Sequence, residues 1–243
     1  HPTKPGLKIP QMFEAAINKE LKGLWIIGED IVQTDPNSAH VIEAMNSLEL
    51  LVVQEIFMSE TAKLATVVLP GTTFLEKDGT FTNTERRIQR VNRAVPPLPG
   101  TKPDGLIVTE MMQKLGFDQP TYDADQVLQE IADVVPFFKG VTRERLGKLG
   151  LQWPVKEDGT DTQILHTESF KLGKGRLKNF DWKESSEIEA NQKDYPLILT
   201  TSRVLQHYNA ATMTRRTKNI NIVDEDVLLI HPNDAAYRDL NTG

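Results

Sequence analysis

Short aliphatic runs alternate, over the first half of the chain, with segments whose apolar residues recur at helical spacing. The runs predict three strands, at Leu24–Ile27, Leu50–Val53 and Val67–Leu69. Helices are predicted over residues 10–22 and from Asp35 through Met45. Strands that are apolar throughout and alternate with helices are typical of a parallel sheet covered on both faces. Residues 1–149 are therefore predicted to form an α/β domain with a Rossmann-like parallel sheet and flanking helices.

The middle of the chain is first polar and then helical again. The segment from Thr80 to Val95 is rich in arginine and predicts a hairpin or an extended surface arm. It could contact a subunit or a cofactor, although a solvated arm is the simpler interpretation. After a proline-rich connection, Asp104 is expected to cap a helix that stops at Gly116. Further helices are predicted at about residues 124–135 and 142–149.

The last third of the chain has a weaker pattern. Residues 150–194 show no clear periodicity and predict a linker or loop region. Two apolar runs, Tyr195–Thr201 and Val227–Ile230, then predict strands. Residues 195–243 are accordingly expected to be a β-rich and incomplete domain. The first residues resemble the middle of a loop, and Asp239–Gly243 resembles a turn whose next strand is missing, so we expect a fragment of a longer polypeptide.

Composition excludes several classes of function. The formal net charge of −6 argues against a nucleic-acid partner, whose binding domains are usually basic. No apolar run approaches the roughly 18 residues of a membrane span, so the cytoplasm is the expected location. The chain has no cysteine and offers no thiolate to a metal or an iron–sulfur cluster. Its histidines show no metal-binding spacing, so no metal ligand is predicted within it.

Polar residues follow each of the three predicted strands. They are Gly28, Glu29 and Asp30 with Thr34, then Gln54 and Glu55, then Gly71 and Thr72. Because the carboxyl ends of parallel strands meet at one edge, where such folds bind ligands, these residues are candidates for a nucleotide site. A carboxylate there can accept two donors at once, from guanine or from a ribose diol. The alternative, that Asp30 and Glu55 are solvated turn residues or caps, stays open.

A second polar cluster follows the predicted strand that ends at Thr201. Arg203, His207 and Tyr208 lie close together in the sequence, with Arg215 and Arg216 just behind them. Arginine and histidine can hold phosphate or carbonyl oxygens. A basic surface loop explains the same residues, and the sequence pattern alone favours that interpretation.

The run Ser59–Glu76, S-E-T-A-K-L-A-T-V-V-L-P-G-T-T-F-L-E, resembles a motif of the molybdopterin-guanine-dinucleotide oxidoreductase large subunits. Within that family, the chain looks most similar to the formate dehydrogenase alpha subunits. Further segments carry the resemblance: G-E-D-I-V-Q-T-D (28–35), V-V-Q-E-I-F (52–57), E-K-D-G-T-F-T-N-T-E-R-R (76–87) and S-R-V-L-Q-H-Y-N (202–209). The chain departs from the family at Thr66 and Glu55, where Asp is usual or common, and at Gly71, where Ser occurs.

The resemblance implies roles for particular residues. Positions that hold one guanosine end of a paired pterin cofactor are matched by Asp30, Thr34, Gln54, Glu55, Gly71 and Asp104. Positions that contact the pterin or its pyrophosphate are matched by Arg203, His207 and Tyr208, at the start of a β-barrel cofactor-binding domain. The implied cofactor is bis-molybdopterin guanine dinucleotide with molybdenum or tungsten.

The resemblance also implies a reaction, the two-electron oxidation of formate to carbon dioxide. The 4Fe–4S cluster of the full subunit, its metal ligand and the residues beside formate are expected upstream of this chain, which alone should be inactive. Expected partners are formate, the upstream part of the subunit and electron-transfer subunits. The alternatives are a nitrate reductase-type large subunit, a non-catalytic relative similar to the large iron–sulfur subunit of respiratory complex I, and an unrelated nucleotide-binding domain.

Overall fold

The structure of the chain is a computed structural model that describes residues 3–242. It divides into two compact units, unit 1 up to Trp182 and unit 2 from Lys183. The helices of unit 1 are α1 (Ile9–Ile17), α2 (Ile31–Thr34), α3 (Ser38–Asn46), α4 (Glu60–Lys63), α5 (Asp104–Lys114), α6 (Ala124–Val134) and α7 (Arg143–Leu146). Its strands are β1 (Gly23–Ile27), β2 (Leu50–Glu55), β3 (Val67–Pro70), β4 (Gly79–Thr82), β5 (Arg87–Val91) and β6 (Leu151–Gln152), and 3-10 turns span Phe74–Glu76 and Pro136–Phe138.

The first three strands form a parallel sheet in the order β1-β2-β3. The three predicted strands are therefore confirmed, and so is the parallel α/β class. Trp25 pairs with Val52, and Val52 with Val67, so their side chains share one face of the sheet. Gln54 lies one pleat further along that face, beside Ile27 and Leu69.

Helices α1 to α4 cover the opposite face and enclose the first core. Its buried residues are Phe13, Ala16, Ile26, Ile31, Val41, Ala44, Met45, Leu51, Val53 and Ala62. The other face is covered in part: Gln54 is 1% exposed there, beneath Asp104 at the start of α5, whereas Ile27 and Val67 are 46% and 42% exposed. Helices α1 to α4 all pack on the first face, and α6 packs on β4.

The arginine-rich segment forms the predicted hairpin. Strands β4 and β5 pair antiparallel, and β6 adds to β5. The hairpin is not a solvated arm, because Ile88 is buried in a second core that also contains Leu128, Val141, Leu146 and Val155. The guanidinium of Arg86 donates to the carbonyl oxygens of Thr162 and Gln163, at 3.0 and 2.9 Å. Part of the predicted linker 150–194 thus folds with unit 1, and the proposed domain boundaries stay predictions.

Helix ends differ from the predicted ones for local reasons. Helix α1 ends at Ile17 because Lys19 adopts a left-handed conformation, and Gly23 opens β1 instead of capping the helix. The N-cap of α3 is Asn37, whose side chain accepts from His40, not Asp35. Asp104 is the first residue of α5, after Pro103, and does not cap it.

Unit 2 contains α8 (Ser186–Asn191), α9 (Pro232–Tyr237) and 3-10 turns at Thr214–Arg216 and Lys218–Asn221. The structure assigns no strand within residues 183–242, so it differs from the prediction at 195–201 and 227–230. A strand needs a hydrogen-bonded neighbour, and these segments have no such ladder in the described part of unit 2. The barrel stays a prediction. No helix within residues 3–242 has the length and apolarity that a membrane crossing requires.

Candidate functional site

Backbone hydrogen bonds join the carboxyl ends of the three parallel strands. The N–H of Gly28 donates to the carbonyl of Gln54 at 2.9 Å, and the N–H of Gly71 donates to that of Glu55 at 3.1 Å. Gly28 makes its turn at a φ of +66°, which glycine adopts without strain. The predicted edge therefore exists, and Gly28, Glu55 and Gly71 lie side by side along it.

Gln54 and Asp104 form the centre of the site. Nε2 of Gln54 donates to Oδ1 of Asp104 at 2.9 Å. A carboxylate can only accept, so this contact fixes the orientation of the amide and leaves Oε1 of Gln54 as the second polar atom. Gln54 is 1% exposed, and its Oε1 has no hydrogen-bond partner. A buried acceptor without a partner costs about 1–3 kcal/mol, which a ligand N–H would offset.

Lys77 holds the other side of the Asp104 carboxylate. Its ammonium lies 2.5 Å from Oδ2. Partial burial raises the pKa of Asp104, but the hydrogen bonds from Lys77 and Gln54 and the charge of Lys77 outweigh it, so that the pKa lies below its usual range. Asp104 is therefore an ionised acceptor, and its side chain is still 38% exposed.

Gly71 lies against the same carboxylate, and Thr72 follows it in the chain. A Cβ at Gly71 would stand 2.9 Å from Oδ1 of Asp104, so the present position of Asp104 depends on the glycine. The hydroxyl of Thr72 is fully buried and has no partner. The structure thus brings Gln54 and Gly71, which were predicted at one sheet edge, together with Asp104, which only the resemblance had added.

The other predicted residues of this edge have different surroundings. Glu55 is half-buried, and its carboxylate accepts from the next backbone N–H, that of Ile56, at 2.7 Å. Asp30 is buried and accepts from the N–H and the hydroxyl of Thr61, so it acts as a cap for the start of α4. Glu29 and Thr34 are exposed near the end of β1. The contacts of Asp30 are therefore those of a helix cap, which was the alternative to a nucleotide-binding role.

In unit 2, the three residues predicted to contact the cofactor differ in how far their polar groups are free to bind a ligand. His207 is buried, with Nδ1 3.0 Å from the hydroxyl of Thr214 and Nε2 2.7 Å from the carbonyl of Val223. Arg203 is exposed and donates to the side chain of Asn209 at 2.6 Å. Tyr208 is exposed as well. His207 therefore holds its own loop together, while Arg203 and Tyr208 present polar groups to solvent.

Three residues near the site, Lys77, Thr61 and Tyr122, were not predicted from the sequence. Lys77 and Asp104 are 27 residues apart, and no local pattern links them. Tyr122 packs on Gly105 at the start of α5, where an added Cβ would come within 2.2 Å of its ring. Burial, followed by the charges of Asp104 and Asp123, raises the pKa of this phenol. The one sequence signal for Tyr122 is Gly105, because a glycine in the first turn of a predicted helix suggests that another side chain packs closely there.

The acceptors of unit 1 fit a guanosine. Guanine offers two N–H donors side by side, and Asp104, Gln54 Oε1 and Thr72 Oγ1 provide acceptors for such groups. In unit 2, Arg203 fits a phosphate, whereas the ring nitrogens of His207 already have partners. Within residues 3–242, no group of three or more His, Asp or Glu side chains could hold a metal ion.

Two family models match the chain. The model described as "Molybdopterin oxidoreductase" matches residues 1–114, and the model described as "Molydopterin dinucleotide binding domain" matches residues 197–243. The first match contains the Gln54–Asp104 pair, and the second contains Arg203, His207 and Tyr208.

Curated relatives match nearly the whole chain. It is 43% identical over 242 residues to the F420-dependent formate dehydrogenase subunit alpha of Methanocaldococcus jannaschii, covering 98% of this chain and 36% of that protein. It is 42% identical over 244 residues to the F420-dependent formate dehydrogenase 2 subunit alpha of Methanococcus maripaludis, again covering 98% and 36%. The chain thus spans about a third of the length of these relatives.

Among solved structures, acetylene hydratase from Pelobacter acetylenicus is similar in fold. The TM-score is 0.68 at 20% sequence identity, over 96% of this chain and 34% of that protein. At this identity the similarity concerns the fold alone.

Proposed function

Because the chain belongs to the molybdopterin oxidoreductase family, we propose that it is part of a formate dehydrogenase alpha subunit and holds one guanosine end of the dinucleotide cofactor. The observation that carries the proposal is the acceptor group around Asp104. Its carboxylate is ionised and partly exposed, and it is fixed by Gln54 and Lys77. An ionised carboxylate that is fixed and accessible is the acceptor that a pair of N–H donors requires.

Asp104 accepts the two donors of the guanine edge in this proposal. The side chains of Gln54 and Lys77 donate to different oxygens of this carboxylate, and the side chain of Asp104 stays 38% exposed to a ligand. Gln54 Oε1 and Thr72 Oγ1 gain partners when the nucleotide binds, which offsets the cost of their burial. Glu55, at the adjacent strand end, is the acceptor proposed for the ribose diol.

Unit 2 is proposed to contact the pterin or the pyrophosphate. The exposed guanidinium of Arg203 can donate to two phosphate oxygens, and the exposed hydroxyl of Tyr208 can donate to one. His207 would act indirectly, because its buried ring ties the segment between Arg203 and Thr214 to Val223.

The chemistry of the full enzyme would come from the cofactor. When bound, bis-molybdopterin guanine dinucleotide with molybdenum or tungsten supplies the two-electron redox step that converts formate to carbon dioxide. This chain binds and orients the cofactor in the proposal. It has no cysteine, so the ligands of a 4Fe–4S cluster belong to another part of the protein. The electrons would pass to that cluster and then to partner subunits. Formate-dependent dye reduction by residues 1–243 alone would contradict this division of roles.

A second candidate is a non-catalytic relative that keeps the fold without the cofactor. Two observations favour this non-catalytic function: the side-chain polar atoms of Asp30 and of His207 already have hydrogen-bond partners inside the protein. The orphaned acceptors of Gln54 and Thr72 favour the cofactor-binding function. A nitrate reductase-type subunit shares the predicted cofactor, and only residues outside this chain would distinguish it.

The experiment that tests the proposal uses the full-length protein, purified without oxygen. Molybdenum and tungsten are measured by mass spectrometry, and GMP is measured after acid hydrolysis. The proposal predicts one of the two metals together with about two guanine nucleotides per metal, followed by formate oxidation in an assay with an artificial acceptor. A protein without metal and without GMP would favour the scaffold function instead.

A further inference from the structure

We infer that Lys77 is a positioning residue for guanine recognition, whose ammonium fixes the exposed Asp104 carboxylate in the orientation that receives the N–H donors of the ligand. This inference rests on the proposed function, because it takes the N–H donors of the ligand to be those of guanine.

The two side-chain donors to Asp104 lie on different oxygens of its carboxylate. Gln54 Nε2 lies 2.9 Å from Oδ1, and Lys77 Nζ lies 2.5 Å from Oδ2. Held from both sides, the carboxylate cannot rotate without losing one of these contacts. The side chain of Asp104 stays 38% exposed, so the fixed carboxylate can accept from parallel N–H donors of a ligand. Lys77 therefore determines the plane of the carboxylate as well as its charge.

Lys77 is itself held by the chain before it. Glu76 is buried and accepts from the N–H and the hydroxyl of Thr73, each at 2.8 Å, and from the N–H of Leu98 at 2.9 Å. These contacts fix the backbone that leads into Lys77. The lysine side chain is 24% exposed and lines a cleft of about 280 Å³ between β4 and α6. Because the lysine is already ordered, little conformational entropy remains to be lost when a ligand binds.

The charge of Lys77 also controls the protonation of Asp104. The titratable groups that face Asp104 are Lys77, after the Phe74–Glu76 turn, and Tyr122, from the segment before α6. Tyr122 stays neutral, because burial and the nearby carboxylates raise its pKa. Without Lys77, burial would no longer be offset by a cation, and the pKa of Asp104 would rise. Protonated Asp104 accepts one donor fewer, so guanine binding would weaken at a higher pH than in the wild type.

The test compares Lys77→Met and Lys77→Arg with the wild-type holoenzyme. Each full-length protein is passed through gel filtration at pH values between about 4 and 8, a range that brackets the titration of a carboxyl group with a raised pKa. GMP released by acid is then counted per subunit, and the circular dichroism melt checks the fold. We expect Lys77→Met to retain about tenfold less GMP, as for one lost charge-assisted hydrogen bond. Its loss of GMP should also begin at a higher pH, and Lys77→Arg should restore most of the retention.

Lys139→Met is the matched control. Lys139 also pairs with a carboxylate, Glu157, at 2.9 Å, but both side chains are exposed. It should behave as the wild type. A Lys77→Met protein that folds and retains GMP with the wild-type pH profile would overturn the inference. So would a loss of GMP that is equal at every pH and that Lys77→Arg does not restore, because that result indicates a purely structural role. A wild-type protein without GMP would instead refute the proposed function itself.

Discussion

The carboxylate of Asp30 holds Thr61 by two hydrogen bonds, one from the backbone N–H at 2.9 Å and one from the hydroxyl at 2.7 Å. Both residues are buried, and they are 31 residues apart in the sequence. The contact ties the turn after β1 to the start of α4, the helix that leads into β3. It therefore fixes the spacing of the strand ends that form the candidate site.

Removal of the Thr61 hydroxyl should destabilise the protein. In Thr61→Val, one oxygen of a buried carboxylate loses a donor, and we expect a decrease of about 1–3 kcal/mol in the free energy of unfolding. Urea titration of the full-length protein measures it. Thr84→Val, in the exposed turn between β4 and β5, is the control and should change the stability little. Equal midpoints for the two variants would refute the role given to this contact.

Glu76 should make the stability depend on pH. Hydrogen bonds from the backbone and the hydroxyl of Thr73, and then from the backbone of Leu98, lower its pKa below 4.5. Because the pKa of Glu76 is lower in the folded protein than in the unfolded chain, its ionised carboxylate stabilises the fold fully at pH values above the unfolded-state pKa. This contribution is lost as the pH falls through the folded-state pKa. Glu76→Gln should therefore be less stable than the wild type at pH 7, and the difference should shrink in acid. Thermal melts along a pH series test this, with exposed Glu130→Gln as the control; a difference that is constant with pH contradicts it.

The second core should be sensitive to cavities. Leu146 is 1% exposed beside Ile88 and Val141, so Leu146→Ala should lower the free energy of unfolding by about 2–5 kcal/mol. Leu149→Ala, three residues away and 79% exposed, should change it by no more than about 0.5 kcal/mol. Denaturant unfolding of the two variants measures the contrast. Similar losses at both positions would mean that residues 141–155 do not pack as described.

A side chain at position 71 should displace Asp104. The Cβ of Gly71→Ala would stand 2.9 Å from Oδ1, so the carboxylate must move away from Gln54 or from the ligand. We expect Gly71→Ala to release GMP more readily during gel filtration than the wild type. Gly23→Ala is the matched control, because its nearest neighbour would lie 3.7 Å away, an ordinary contact. Unchanged retention in Gly71→Ala would show that the position of Asp104 is not critical.

The sequence predicted the parallel sheet and its edge because both are local features. Apolar runs give the strands, and a polar turn after each one gives the edge. It could not predict which polar residues meet there. Asp30 finds its partner in Thr61, and Asp104 finds Lys77, through the crossovers of the fold. The second core was missed for the same reason, since Val155 belongs to a segment without periodicity.

The last part of the chain shows the opposite case. Its aliphatic runs, such as Val227–Ile230, have the composition of strands, yet the structure gives them no ladder. Propensity alone does not form a sheet, because pairing supplies the hydrogen bonds. His207 is similar, since its position in a basic cluster gave no sign that both ring nitrogens bind within unit 2.

Binding of a guanine nucleotide at Asp104 can be tested by the amount of GMP that acid releases from anaerobically purified full-length protein, in the wild type and in Asp104→Asn. Asparagine keeps the size of the side chain but replaces one acceptor oxygen by an NH₂ donor. This NH₂ group repels one of the two guanine N–H groups that the carboxylate accepts. We expect GMP together with molybdenum or tungsten in the wild type, and a clear loss of GMP in the variant. Equal GMP content in the two proteins, or none in the wild type, would contradict it.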